Sequence, residues 1–110
     1  MIRLSKSCLS AEEAASVMKV LENGYLGMGT EVKRFEENLE AFLNSNVAVV
    51  SSGTAALQLA CQAIGAAPGT EIIVPSLTYI ACFQAVSATG ALPVPCDINY
   101  NDLTLCPESV

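Results

Sequence analysis

The chain has 110 residues, 11 acidic and 5 basic side chains, no histidine and a net charge of −6. That length suits one small domain with a modest core, and the acidic balance without a Lys/Arg cluster argues against nucleic acid as a partner. Five cysteines, an odd number with no C-x-x-C pair, argue together with the missing histidine against a zinc site.

Charge is unevenly placed. Between Ala41 and Cys96 the only charged residue is Glu71, so this stretch should be buried on most sides. It is not a membrane span, because Pro75, Gly90, Pro93 and Pro95 break it and Gln58, Gln62 and Gln84 interrupt the apolar runs. The first six residues lack the long apolar core of a secretory signal, and the expected compartment is the cytoplasm.

In chain order, Ser10-Ala11-Glu12-Glu13 is a capping-box pattern, and Ala14, Val17, Met18 and Leu21 keep helical spacing behind it. A first helix is predicted over 11–21. The glycines of 23–29 read G-x-x-G-x-G, with no strand before them, which rejects a dinucleotide fingerprint. Thr30 is the predicted cap of a second helix with Val32, Phe35, Leu39 and Phe42 on one stripe and a charged wet face.

The remainder alternates. A strand is predicted over 47–50, a helix over 54–64, a strand over 71–74, a helix over 78–88 and a short strand over 92–94, with Gly65, Pro68-Gly69 and Gly90 as stops. Cys61 and Cys82 fall on apolar helical faces and read as small core residues. Three strands separated by helices predict βαβαβ with parallel pairing and both sheet faces covered. The organisation expected is a helical segment over 1–45 followed by an α/β portion over 46–110.

Ser51-Ser52-Gly53-Thr54-Ala55-Ala56 lies between the first predicted strand and its helix. The first N–H groups of a helix have no intrahelical partner, and the helix dipole favours an anion there. Gly53 allows close approach and Thr54 adds a hydroxyl, so a phosphate suits the turn. Small residues also start helices simply because Ser and Thr cap them well. Ligands of parallel sheets sit beyond the carboxyl ends of the strands. The turns 51–54 and 75–79 both follow predicted strand ends, and so should share one edge. One offers an anion cradle and the other the ring of Tyr79.

Gly24-Tyr25-Leu26-Gly27-Met28-Gly29-Thr30-Glu31-Val32, then Ser52-Gly53-Thr54-Ala55-Ala56-Leu57, Pro68–Tyr79 and Ala88–Ile98, taken in order, resemble the DegT/DnrJ/EryC1/StrS family of sugar-nucleotide aminotransferases. The resemblance implies a three-layer α/β/α fold with a mainly parallel sheet. This would be part of the large domain of the fold-type I pyridoxal-phosphate enzymes, preceded by helices. It implies pyridoxal 5′-phosphate as cofactor, with Gly53, Thr54 and the Ala55 amide on its phosphate and Tyr79 stacked on its ring. It further implies an amino-acid donor, expected to be glutamate, a nucleotide-linked keto-sugar as acceptor, and a homodimer. Gly24–Gly29 is implied to lie near the active site, without a specific contact.

In the family the Schiff-base lysine and the aspartate on the pyridinium nitrogen come later in the chain. Lys6, Lys19 and Lys33 do not match that lysine's motif, and Asp97 and Asp102 do not match that aspartate. The chain is therefore expected to be the amino-terminal third of such an enzyme, without a catalytic residue of its own and inactive alone. The alternative is a short non-catalytic protein that binds a phosphate ligand or another protein.

Overall fold

The computed structural model describes residues 5–110. The chain forms two compact units, residues 1–48 and 49–110.

The first unit holds helix α1 (Ala11–Asn23) and helix α2 (Thr30–Leu43). Ser10 caps α1 by accepting from the Glu12 N–H at 3.1 Å, while the Glu13 carboxylate takes the Ser10 N–H at 2.6 Å. Gly24, at φ 69°, ends α1 in the left-handed conformation that glycine adopts without strain. The cap of α2 differs from expectation: Thr30 is its first helical residue and Gly29 the extended N-cap, with no side-chain cap bond. A β-carbon at Gly29 would stand 3.0 Å from Cδ1 of Tyr25, so the ring occupies the space that a capping side chain would need. The apolar stripes predicted for both helices are present, yet neither helix has a buried residue among those described.

The second unit runs α3 (Gly53–Ala63), β1 (Glu71–Pro75), α4 (Ala81–Ser87) and β2 (Leu92–Cys96), and ends in a hairpin closed by the Ile98–Leu105 bridge. β1 and β2 pair in parallel with Ile72 opposite Pro93 and Val74 opposite Pro95. α4 packs on both strands and α3 packs on α4. The core is Val74, Val86 and Ala91, with Cys61, Ile72, Cys82 and Phe83 packed against it. The two cysteines thus contribute to the core as expected.

The α/β class and parallel pairing stand, and the sheet is smaller than expected. Residues 47–50 form no strand, which leaves one βαβ unit, β1–α4–β2, in place of βαβαβ. Strand structure requires a partner ladder; here the Val47 N–H instead donates to the Glu40 carboxylate at 3.1 Å. Ile73, on the opposite pleat from Ile72 and Val74, is 42% exposed, so that face of the sheet is only partly covered at its centre. α4 also starts later than predicted, at Ala81: residues 76–78 are a bend and residue 80 a turn, and the Thr78 hydroxyl lies 3.2 Å from the Cys82 sulfur.

Candidate functional site

α3 begins at an N-cap, Ser52, whose extended backbone turns the chain into the helix and whose Oγ accepts the Ala55 N–H at 3.2 Å. The Ala56 N–H closes the first turn on the Ser52 carbonyl at 3.1 Å. The N–H groups of Gly53 and Thr54 and the Thr54 hydroxyl are left without a hydrogen-bond partner among the described residues. Two aligned N–H groups at the positive end of the helix dipole, with a hydroxyl beside them, can hold an anion.

These groups open onto a cavity of about 460 Å³ lined by Gly53, Thr54, Ala56, Leu57, Tyr79, Ala81 and Cys82. Tyr79, 78% exposed, lines it from the segment between β1 and α4. No charged side chain lines the cavity, so nothing in the wall opposes the helix dipole. The wall sets free N–H groups at one end against the apolar side chains of Ala56, Leu57 and Ala81. The structure therefore brings Gly53, Thr54 and Tyr79 together even though the strand expected before Gly53 does not form. It does not place Ala55 among the lining residues. The Ala55 amide, expected on the phosphate, is already taken by the Ser52 cap.

Sequence reasoning missed the apolar wall. The signal was available: Leu57 lies one helical turn beyond Gly53, and Cys82 lies three residues beyond Tyr79. Cys82 is both a cavity residue and a core residue. A second cavity, about 260 Å³, lies in the first unit at the turn between α1 and α2, lined by Tyr25, Leu26, Gly27, Gly29, Thr30, Glu31 and neighbouring residues. The Glu31 carboxylate works against an anion there. Among the described residues, no cluster of His, Cys, Asp or Glu is arranged to hold a metal ion, and no helix is long and apolar enough to cross a membrane.

Comparison with known proteins gives this geometry a context. Over 100 residues the chain is 47% identical to the dTDP-3-amino-3,4,6-trideoxy-alpha-D-glucose transaminase of Streptomyces venezuelae, covering 90% of this chain and 26% of the relative. It is 41% identical over 100 residues to the spore coat polysaccharide biosynthesis protein SpsC of Bacillus subtilis, again covering 90% of this chain and 26% of that protein. Among solved structures, DesV of S. venezuelae superposes with a TM-score of 0.78 at 46% identity, over 90% of this chain and 27% of DesV. The PLP-form of the sugar aminotransferase Spr1654 from Streptococcus pneumoniae superposes with a TM-score of 0.84 at 30% identity, over 94% of this chain and 27% of that one. The chain thus spans about a quarter of the length of these relatives, rather than the expected third. The model of the DegT/DnrJ/EryC1/StrS aminotransferase family matches residues 7–110, and the chain belongs to that family.

Proposed function

We propose that this chain supplies the phosphate cradle and ring-stacking wall of a pyridoxal 5′-phosphate site, in an aminotransferase that moves an amino group from an amino acid, glutamate being the natural donor to test, onto a nucleotide-linked keto-sugar. The observation that carries this reading is the meeting of Gly53, Thr54 and Tyr79 in one uncharged cavity. The substrate class rests on the relatives, which include a dTDP-sugar transaminase and a spore coat polysaccharide protein.

The free N–H groups of Gly53 and Thr54 donate to the phosphate, and the Thr54 hydroxyl adds a further donor. Tyr79 sets the plane of the pyridine ring and contributes apolar contact area. Ala56 and Leu57 keep water from one side of the pocket. When bound, the cofactor supplies the electron sink and carries the amino group. The lysine and aspartate that such chemistry requires lie outside the motifs found here, and the full site is proposed to form in a homodimer.

Titration of the chain with pyridoxine 5′-phosphate, which has no aldehyde to react with surface lysines, tests the cradle. Tyr79→Ala should weaken binding about tenfold, the upper range of an aromatic contact. Tyr79→Phe should bind like the wild type, because no bond to the Tyr79 hydroxyl is part of the site. Equal binding by wild type and Tyr79→Ala would remove Tyr79 from the site. A complete polypeptide containing this chain that fails to transaminate any nucleotide-linked keto-sugar would end the proposed activity.

A further inference from the structure

Over residues 76–80 the chain leaves β1, places Tyr79 in the cavity wall and turns into α4. The near end of this segment is fixed, because the Ser76 N–H donates to the Cys96 carbonyl of β2 at 2.8 Å. The far end is fixed as well. The Cys82 N–H donates to the Tyr79 carbonyl at 3.0 Å, and the Gln84 N–H to the Ile80 carbonyl at 3.1 Å. Leu77 and Thr78 lie between these points and make no backbone hydrogen bond among the described residues. Thr78 is held through its side chain instead: a hydrogen bond of 3.2 Å joins its Oγ1 to Sγ of Cys82.

Two bonds that bracket Tyr79 therefore end on one residue. The sulfur of Cys82 holds the residue before Tyr79, and the N–H of Cys82 holds the carbonyl of Tyr79 itself. Cys82 can serve as the anchor because it lies in α4 and packs against Val74, Val86 and Ala91. Thr78 does not line the cavity, whereas Tyr79 and Cys82 both do.

We propose that Thr78 is a positioning residue for Tyr79: its hydroxyl, bonded to the Cys82 sulfur, ties the chain on both sides of Tyr79 to α4 and fixes where that residue stands in the wall. The inference rests on the reading of this cavity as a phosphate-and-ring site. Thr78 stands outside the wall, so its loss reaches the ligand only through Tyr79. The effect must then stay below the about tenfold expected of Tyr79→Ala. The plainer role, a contact that merely starts α4, carries no preference for one ligand over another.

Calorimetric titration of the chain with pyridoxine 5′-phosphate and, separately, with inorganic phosphate tests this. Inorganic phosphate has no ring and reports the anion cradle alone. Thr78→Val exchanges the hydroxyl for a methyl of similar size. It should weaken pyridoxine 5′-phosphate about threefold, the worth of one weak hydrogen bond, and leave inorganic phosphate unchanged. Thr78→Ser keeps the hydroxyl and should bind both ligands like the wild type. On a Tyr79→Ala background, Thr78→Val should cost nothing further. Four results overturn the proposal: a valine variant that binds pyridoxine 5′-phosphate like the wild type, one that loses both ligands alike, a serine variant as weak as the valine one, or a full threefold loss on the Tyr79→Ala background. Each of these leaves the cavity reading standing wherever Tyr79→Ala itself weakens binding. A Tyr79→Ala chain that binds like the wild type, or a wild-type chain that binds neither ligand, removes that reading and this one with it.

Discussion

Ser52 caps α3 through the Ala55 amide and leaves those of Gly53 and Thr54, the two groups proposed to hold a phosphate, free. Replacing it with alanine removes one exposed hydrogen bond of 3.2 Å and the preference for an extended N-cap. Such a loss costs about 1 kcal/mol, and replacement with glycine only a few tenths. The second unit covers residues 49–110, and for a domain of that size 1 kcal/mol lowers the melting temperature by about 4–8 °C. Ser52→Ala should therefore melt about 4–8 °C below the wild type, with Ser52→Gly between the two. Phosphate should act in the opposite sense. The alanine variant exposes a third N–H, that of Ala55, so inorganic phosphate should protect it at least as well as it protects the wild type. Thermal unfolding followed by circular dichroism, with and without phosphate, reads both effects. If Ser52→Ala melts with the wild type, the cap bond contributes nothing. If it loses phosphate protection, the Ser52 hydroxyl is itself the ligand and the division of roles drawn here is wrong.

Gly90 sits at φ 84°, and a β-carbon there would stand 2.8 Å from Cγ of Pro68. Gly90→Ala should cost about 2 kcal/mol or more in denaturant melts, backbone strain and collision together. Gly65→Ala, at φ 89° with nothing within 4 Å, should cost only the strain, about 1 kcal/mol; equal losses at the two sites would discount the Pro68 contact. The Ser10 hydroxyl and N–H bonds hold the Glu13 carboxyl below its ordinary pKa. A carboxyl lowered on folding stabilises α1 above its unfolded pKa, and that contribution disappears as pH falls through the folded value. Glu13→Gln should therefore flatten the acid dependence of helix content below the usual carboxylate range while changing neutral-pH content less, and an unchanged acid profile would refute the assignment.

What could be read from the sequence was whatever local chemistry decides. The Ser10–Glu13 box and the Gly24 stop fix the start and end of α1 within a few residues of chain, and the β-branched run before Pro75 and the short segment around Val94 pair across one helix. The start of α3 was legible for the same reason: Ser52, Gly53 and Thr54 set the helix start whatever precedes them. The features that failed depend on distant chain. Val47-Ala48-Val49-Val50 has strand composition, but composition supplies no ladder partner. Thr30 has the chemistry of a cap, but the Tyr25 ring lies where the preceding residue must be small, and the cap passes to Gly29. The start of α4 slipped from Thr78 to Ala81 because residues 76–78 bend, with the Thr78 hydroxyl beside the Cys82 sulfur, before the helix begins.

Cys82 belongs to the wall of the cavity and to the set of side chains packed on Val74, Val86 and Ala91, and its neighbour Ala81 is buried while lining the same space. Ligand affinity and folding free energy are consequently linked quantities in this unit: whatever fills the cavity is bound by the folded chain and not by the unfolded one. A ligand present at a hundred times its dissociation constant would add about 2.7 kcal/mol to the unfolding free energy without making any contact beyond those of binding. The melting temperature of the ligand-free chain is then the lower end of a range set by the concentration of whatever ligand the cavity takes.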